Sequence, residues 1–361
     1  MNIYEKSKSW LITGITGQDG SYFADLLIEY GYTNIPGLIR SSTTENKMQN
    51  ISHILSKITL HTGDITDYSC MSNIISNIKP DYIVNFAAQS HVKVSNELQN
   101  YTFQVDTVGV LNILQSVKNS GLEKTCRIYQ ASTSEMYGNK TNGKNLLNEE
   151  SSMKPVSMYG IAKKASQDLC DMYKNAHGMF IVSSILFNHE SPRRGKEFVT
   201  RKITEYVAKY NFCIKNNKTL PPLELGNLNA RRDWGDARDY VKAIYYMLIH
   251  DVPKNFVIAS GETHSVREFV ELAFKEIGLE IKWSGVGVNE LGIVNGNVSV
   301  KVNPKFYRDI EIDCLIGNYK LAKDELGWTP TQSFSGLVKD MVKSSIENFN
   351  KNNSINHELL F

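Results

Sequence analysis

Tyr159 and Lys163 stand four residues apart, a spacing that puts both side chains on one helix face, one turn from each other. A lysine ammonium near a phenol favours phenolate and lowers the tyrosine pKa, making a usable base near neutrality. A half-buried tyrosine beside a surface lysine has the same pattern, so the pair needs context. Ahead of it, Ala131-Ser132-Thr133-Ser134-Glu135-Met136-Tyr137-Gly138 follows an apolar run and supplies hydroxyls and a carboxylate. Nearer the start, Gly14-Ile15-Thr16-Gly17-Gln18-Asp19-Gly20 is a Gly-x-x-Gly-x-x-Gly turn, in which absent side chains let backbone N–H groups approach a pyrophosphate at a helix N-terminus. Three glycines also occur in turns for conformational reasons alone, and here again position decides.

The elements that must position these residues alternate. Short apolar runs at Trp10 to Thr13, Ile35 to Ile39, Ile58 to His61, Ile83 to Ala87, Arg127 to Ala131 and Phe180 to Leu186 read as buried strands. Helical stretches at Ser21 to Tyr30, Tyr68 to Asn77, Val105 to Ser120 and Tyr159 to Tyr173 lie between them. Such alternation predicts an α/β fold, a Rossmann-like doubly wound parallel sheet with the glycine turn in its first βαβ unit. The Thr133 to Glu135 segment then falls at the C-terminal edge of a strand, where open parallel sheets bind ligands. After Phe187, prolines and glycines interrupt shorter elements, and a smaller C-terminal α/β substrate-binding lobe is expected over 188–346. Residues 1–187 form the nucleotide-binding domain, with segments around 225–265 returning to it, Ile258-Ala259 as a further strand and Ser265 capping a helix. The Asn/Lys-rich stretch within 347–361 reads as a frayed polar tail.

With 361 residues, 40 Lys plus Arg and 38 Asp plus Glu, the net charge of +2 points to no nucleic acid and no anionic membrane. No apolar run spans a bilayer and no signal sequence opens the chain, so a cytoplasmic protein is expected. Five dispersed cysteines suggest neither a disulfide framework nor a zinc site, and no metal is expected. After the second strand, where a free ribose 2′-OH would meet an acidic residue, Arg40 precedes Ser41-Ser42-Thr43-Thr44. That favours a 2′-phosphate and hence NADP, the alternative being a solvated surface arginine.

These residues, with Ala88-Gln89-Ser90-His91-Val92, Leu186 to Gly195, Leu225-Gly226-Asn227-Leu228 and Arg232-Asp233-Trp234-Gly235, resemble the extended short-chain dehydrogenase/reductases and, within them, the GDP-mannose 4,6-dehydratase family, over about Trp10 to Val342. The resemblance implies redox-neutral loss of water from GDP-mannose to give GDP-4-keto-6-deoxy-mannose, NADP being reduced and reoxidised in each turnover. It casts Tyr159, Lys163, Thr133 and Glu135 as catalytic. Cofactor contacts are implied for Gly14, Thr16, Gly17, Gln18, Asp19, Gly20, Arg40, Asp64, Ile65, Phe86, Ala87, Ala88, Gln89, Ser90, Tyr101, Tyr159, Lys163, His189 and Arg194. For the nucleotide sugar the implied set is Ser90, Thr133, Ser134, Glu135, Tyr159, Asn188, Val199, Lys202, Leu225, Gly226, Arg232, Arg308 and Glu311.

The family's paired arginines after the second strand are a single Arg40 here, in a shortened loop. Because that loop reaches a neighbouring subunit in the family, a homodimer is the expectation and a tetramer the alternative. Another nucleotide-sugar 4,6-dehydratase or a 4-epimerase is the nearest competing enzyme, and Glu135 separates dehydration from epimerisation. A catalytically silent dinucleotide sensor is the non-enzymatic alternative, and it would need none of Tyr159, Lys163 and Glu135.

Overall fold

A computed structural model describes residues 6–42, 48–139, 146–307 and 314–358, with side chains as far as 351. The chain begins with strand β1 (Trp10–Thr13), helix α1 (Gln18–Glu29) and strand β2 (Pro36–Ile39), followed by a 3-10 segment (Gln49–Lys57) and β3 (Thr59–Thr62). Helix α2 (Tyr68–Ile78), β4 (Tyr82–Asn85), the short helices α3 (Val92–Glu97) and α4 (Gln99–Phe103), a π-helical turn (Gln104–Val108) and α5 (Gly109–Asn119) come next. Then follow β5 (Arg127–Ala131), a 3-10 turn (Ser134–Tyr137), α6 (Met158–His177) and β6 (Phe180–Leu186).

Seven strands, the six above and β11 (Phe256–Ile258), form one sheet in the order β11-β6-β5-β4-β1-β2-β3, all paired in parallel. The order reverses between β1 and β4, and the glycine turn after β1 opens at that point, where such sheets form a ligand crevice. The strand β11 (Phe256–Ile258) joins β6 at the far edge, so a late segment does return to this sheet. Trp10 anchors the core beneath the glycine turn, stacked on Tyr82 with ring centroids 3.7 Å apart.

Most of the rest of the chain builds a smaller layer beside the C-terminal edge of the sheet. It comprises β7 (Asn188–Glu190), α7 (Val199–Lys215), β8 (Leu223–Leu225), β9 (Arg231–Arg232) and β10 (Trp234–Asp236), then β12 (His264–Ser265), α9 (Val266–Lys275), β13 (Lys282–Ser284), β14 (Leu291–Val294), β15 (Asn297–Val302), β16 (Cys314–Leu315) and α11 (Phe334–Glu358). Helices α8 (Ala237–Ile249) and α10 (Lys320–Leu326) instead pack on the large sheet, with Tyr240, Ile244 and Ala322 in its core. A four-stranded sheet runs β13-β14-β15-β8, while β7 pairs with β10. Ser265 caps α9 reciprocally with Glu268, as its sequence spacing predicts. A second apolar cluster, including Trp234, Phe269, Phe274, Leu337 and Met341, holds α7, α9 and α11 together.

Three expectations need correction. The fourth strand ends at Asn85 rather than Ala87, because Phe86 and Ala87 leave the ladder to pass against Gly14. The helix expected from Val105 starts with a π-helical turn and becomes regular only at Gly109. The expected frayed stretch after 346 continues α11 to Glu358, since a helix nucleated on a buried face propagates through polar residues at little further cost. Among the described residues no helix is long and apolar enough to cross a membrane.

Candidate functional site

The glycine turn is built for close approach. Gly14 has φ +67°, and a Cβ there would lie 2.8 Å from the Ala87 nitrogen. A Cβ on Gly20 would lie 2.4 Å from the Gly14 carbonyl oxygen, so α1 can pack onto the turn only with glycine there. Gly17 is the N-cap of α1 and supplies no side-chain cap, leaving the first-turn N–H groups of the helix to an anion. This is a cradle that fits the pyrophosphate of a dinucleotide.

Asp19, in the first turn, would repel such an anion, but His189 neutralises it. His189 Nε2 donates to Asp19 Oδ2 at 2.9 Å and Nδ1 donates to the Phe187 carbonyl at 2.8 Å. Both ring nitrogens face acceptors, an arrangement that favours the imidazolium. Burial works against its charge, yet Asp19 prevails and raises the His189 pKa. Burial also opposes the Asp19 charge, yet its pKa is lowered by His189 and, further off, Arg194. Gln18 locks the junction, donating to the His189 carbonyl at 3.1 Å and accepting from the Ser191 hydroxyl at 2.7 Å. Arg194 pairs with Glu190 at 3.2 Å and lies over the Phe198 ring, 3.6 Å from its centroid.

At the end of β5, Thr133 caps the 3-10 turn, its hydroxyl accepting from the Glu135 N–H at 3.2 Å. Helix α6 starts directly against this turn, and a Cβ on Gly160 would lie 2.9 Å from the Glu135 carbonyl oxygen. Its N-terminus is fixed by Ser157 as cap and by Ser95, whose hydroxyl accepts from the Tyr159 N–H at 3.1 Å. The Tyr159 phenol is therefore brought within the influence of the Thr133 hydroxyl and the Glu135 carboxylate. Lys163 is fully enclosed and donates to the Ala131 carbonyl at 3.1 Å, its ammonium 5.8 Å from the Tyr159 ring centre.

The phenol is not activated as its spacing from Lys163 suggests. Burial first, then the Asp106 and Glu135 carboxylates, push the Tyr159 pKa well above the ordinary tyrosine range, against the Thr133 hydroxyl and Arg194. Burial also lowers the Lys163 pKa, with Asp106 opposing it. Among the protein's own groups, burial is the largest influence on both side chains.

The other expected residues line the same edge of the sheet or the facing layer. Thr16 accepts from Asn50 at 3.0 Å through its carbonyl. Arg40 is exposed just beyond β2 and donates to the Tyr101 hydroxyl at 2.8 Å. Asp64 accepts from the Thr66 backbone and hydroxyl, whereas Ile65 is packed against Gly109. Phe86, Ala87, Ala88, Gln89 and Ser90 run from β4 towards α3, Ala88 and Ser90 exposed, and Ser134 is buried in the 3-10 turn. In the facing layer, Asn188 opens β7 and Val199 opens α7, with the Lys202 ammonium 5.1 Å from the Phe306 ring centre. Gly226 follows Leu225, and a Cβ there would lie 2.6 Å from the Phe306 carbonyl oxygen. Arg232, on β9, is buried and donates to the Arg231 carbonyl at 2.8 Å. Arg308 and Glu311 lie outside the described residues.

Sequence reasoning missed two buried carboxylates. Asp233 accepts from the Ser260 N–H and hydroxyl, the Gly261 N–H and the Gly317 N–H, tying β9 and β10 to the loops beyond β11 and β16, and its place in Arg232-Asp233-Trp234-Gly235 was the available signal. Asp106 had none, being one aspartate in an otherwise helical pattern.

A sheet of this order, with the glycine turn at its reversal and a tyrosine and lysine one turn apart beyond its fifth strand, defines an NAD(P)-dependent enzyme of the extended short-chain dehydrogenase/reductase class. A family profile described as GDP-mannose 4,6 dehydratase matches residues 11–341, and the chain belongs to that family of nucleotide-sugar dehydratases. A GDP-mannose 4,6 dehydratase of Drosophila melanogaster is 48% identical over 357 residues, covering 96% of this chain and 88% of that protein. The Homo sapiens protein of the same name is 46% identical over 346 residues, covering 93% and 91%. Among solved structures, a UDP-glucose 4-epimerase from Thermotoga maritima superposes with a TM-score of 0.78 at 22% identity, covering 94% of this chain and 99% of that one, a likeness of fold.

Proposed function

We propose that this chain converts GDP-mannose to GDP-4-keto-6-deoxy-mannose and water, with NADP as a cofactor regenerated in every turnover. The observation that carries the reading is the convergence of Thr133, Glu135 and Tyr159 where α6 abuts the turn after β5. Relatives named for this reaction, 48% and 46% identical, support the substrate.

When bound, the dinucleotide would supply a hydride acceptor and donor, and the positive charge of its oxidised ring would favour the phenolate of Tyr159. Tyr159 takes the proton of the sugar 4-OH, while Thr133 holds O4. Lys163 stabilises the phenolate and orients the nicotinamide ribose. With C4 a ketone, the C5 proton is acidic, and Glu135 removes it and protonates the departing 6-hydroxyl as water. Lys202 and Arg232 suit the diphosphate. Arg40 favours the 2′-phosphate of NADP, and Asp64 and Tyr101 flank the same end of the site.

We also propose a homodimer, supported by the exposed apolar side chains of Leu98, Phe103, Ile161 and Met172 on and beside α4 and α6. The chemistry is tested with GDP-mannose deuterated at C4. Deuterium recovered at C6 of a product lacking one water supports the reading, and deuterium retained at C4 of an unchanged mass overturns it.

A further inference from the structure

The π-helical turn Gln104–Val108 buries Asp106 completely, opposite the Lys163 ammonium. Its Oδ1 accepts from the Gln89 N–H at 2.7 Å. Its Oδ2 is buried and has no hydrogen-bond partner among the described residues. A buried acceptor left unspent is costly, so its retention calls for a reason. Lys163 is equally enclosed, and of its three N–H groups one is committed to the Ala131 carbonyl. Burial pushes the Asp106 carboxyl up to about 6, against the Lys163 ammonium and the Gln89 N–H, and the two side chains make no direct ion pair. The turn is nonetheless pinned against α6, because the Thr107 hydroxyl donates to the Ala162 carbonyl at 2.9 Å, one residue before Lys163.

We propose that Asp106 is a positioning residue, the remote counter-charge that keeps Lys163 an ammonium inside the protein while leaving its N–H groups free for the phenolate and cofactor ribose. Contact would spend those donors, and absence would let desolvation neutralise the lysine. Held out of ion-pair contact, the carboxylate supports the charge without capturing the donors. π-helical turns concentrate at functional sites, and this one supplies the offset that brings a carboxylate inward at the register of Lys163. The same carboxylate fixes Gln89, whose side chain accepts from the His91 N–H at 2.7 Å and donates to the His91 carbonyl at 3.2 Å. Thus one residue holds the lysine charge on one side and the segment after β4 on the other. The other titratable groups facing this pair are Tyr159 and Cys170 on α6, both neutral because burial raises their pKa values, with Glu135 and Arg194 beyond the phenol.

The inference rests on the proposed role of Lys163, but its test does not need turnover. The full-length protein is prepared with lysine carrying 13C at Cε, the Lys163 signal is assigned with Lys163→Met, and its titration is followed without substrate or cofactor. Asp106→Asn keeps the Oδ1 acceptor for Gln89 and removes the charge. It should lower the Lys163 midpoint by about one pH unit or more, whereas Asp106→Glu, which keeps the charge, should restore most of that loss. An unchanged midpoint in folded Asp106→Asn overturns the proposal, as does a midpoint in Asp106→Glu as low as in Asp106→Asn. Should Asp106→Asn fail to fold, the wild-type Lys163 signal must show a second inflection where Asp106 protonates. A single inflection there overturns it.

Discussion

The Asp19 carboxylate and the His189 imidazolium meet at 2.9 Å, joining the first turn of α1 to β7 across 170 residues of sequence. The contact couples the cofactor cradle to the segment that carries Asn188, Glu190 and Arg194. It also makes the cradle's charge balance depend on pH.

The signs are fixed by the two pKa shifts. His189 is raised above its ordinary 6.5, so its contribution to stability is fully present below that value and disappears as pH rises through the higher folded pKa. Asp19 is lowered below 3.8, so its contribution is present above that value and disappears as pH falls through the lower folded pKa. Unfolding free energies of the wild type and His189→Asn, compared across pH, should differ most between about 4 and 6.5 and converge in alkali, the difference reaching about 1–3 kcal/mol. A constant difference at all pH values would show that His189 acts by packing alone.

Glu135→Gln should keep oxidation at C4 and lose elimination, with dehydration falling at least about 100-fold. Stopped-flow absorbance at the NADPH band would show the reduced cofactor accumulating, and unchanged dehydration would remove Glu135 from the mechanism.

Gly14→Ala forces a residue at φ +67° against the Ala87 nitrogen. The cost is about 1–3 kcal/mol of backbone strain before the clash itself is counted. Calorimetry should show a lowered melting temperature and little recovery with added NADP.

Arg40→Ser removes the one arginine just beyond β2 and its bond to Tyr101. Dissociation constants from titration calorimetry should show NADP favoured over NAD in the wild type, with that preference falling about tenfold or more in the variant. Equal wild-type constants would dismiss Arg40 as the discriminator.

Much of this architecture was legible because it depends on local pattern. The glycine turn, the parallel strands through β6 and the capping box at Ser265 each follow from a few neighbouring residues whose spacing has one good structural solution. The two-residue strands β9, β12 and β16 left no periodicity to read, since their pairing is set by partners far along the chain. Asp106 was invisible for a related reason: a π-helical turn shifts its register, and nothing in Gln104-Val105-Asp106-Thr107-Val108 marks the shift. Tyr159 and Lys163 were found by spacing, but their burial was not, and burial reverses the expected direction of the tyrosine pKa. Spacing places side chains on a face, whereas their ionisation depends on everything packed against that face.

The most direct test is mass spectrometry of the purified protein incubated with GDP-mannose and a catalytic trace of NADP, with dTDP-glucose and UDP-glucose in parallel. The account predicts that GDP-mannose alone loses one water, with NADP unconsumed at the end. Loss of water from another nucleotide sugar but not from GDP-mannose would contradict the substrate, and binding of cofactor with no loss of water from any would contradict the reaction.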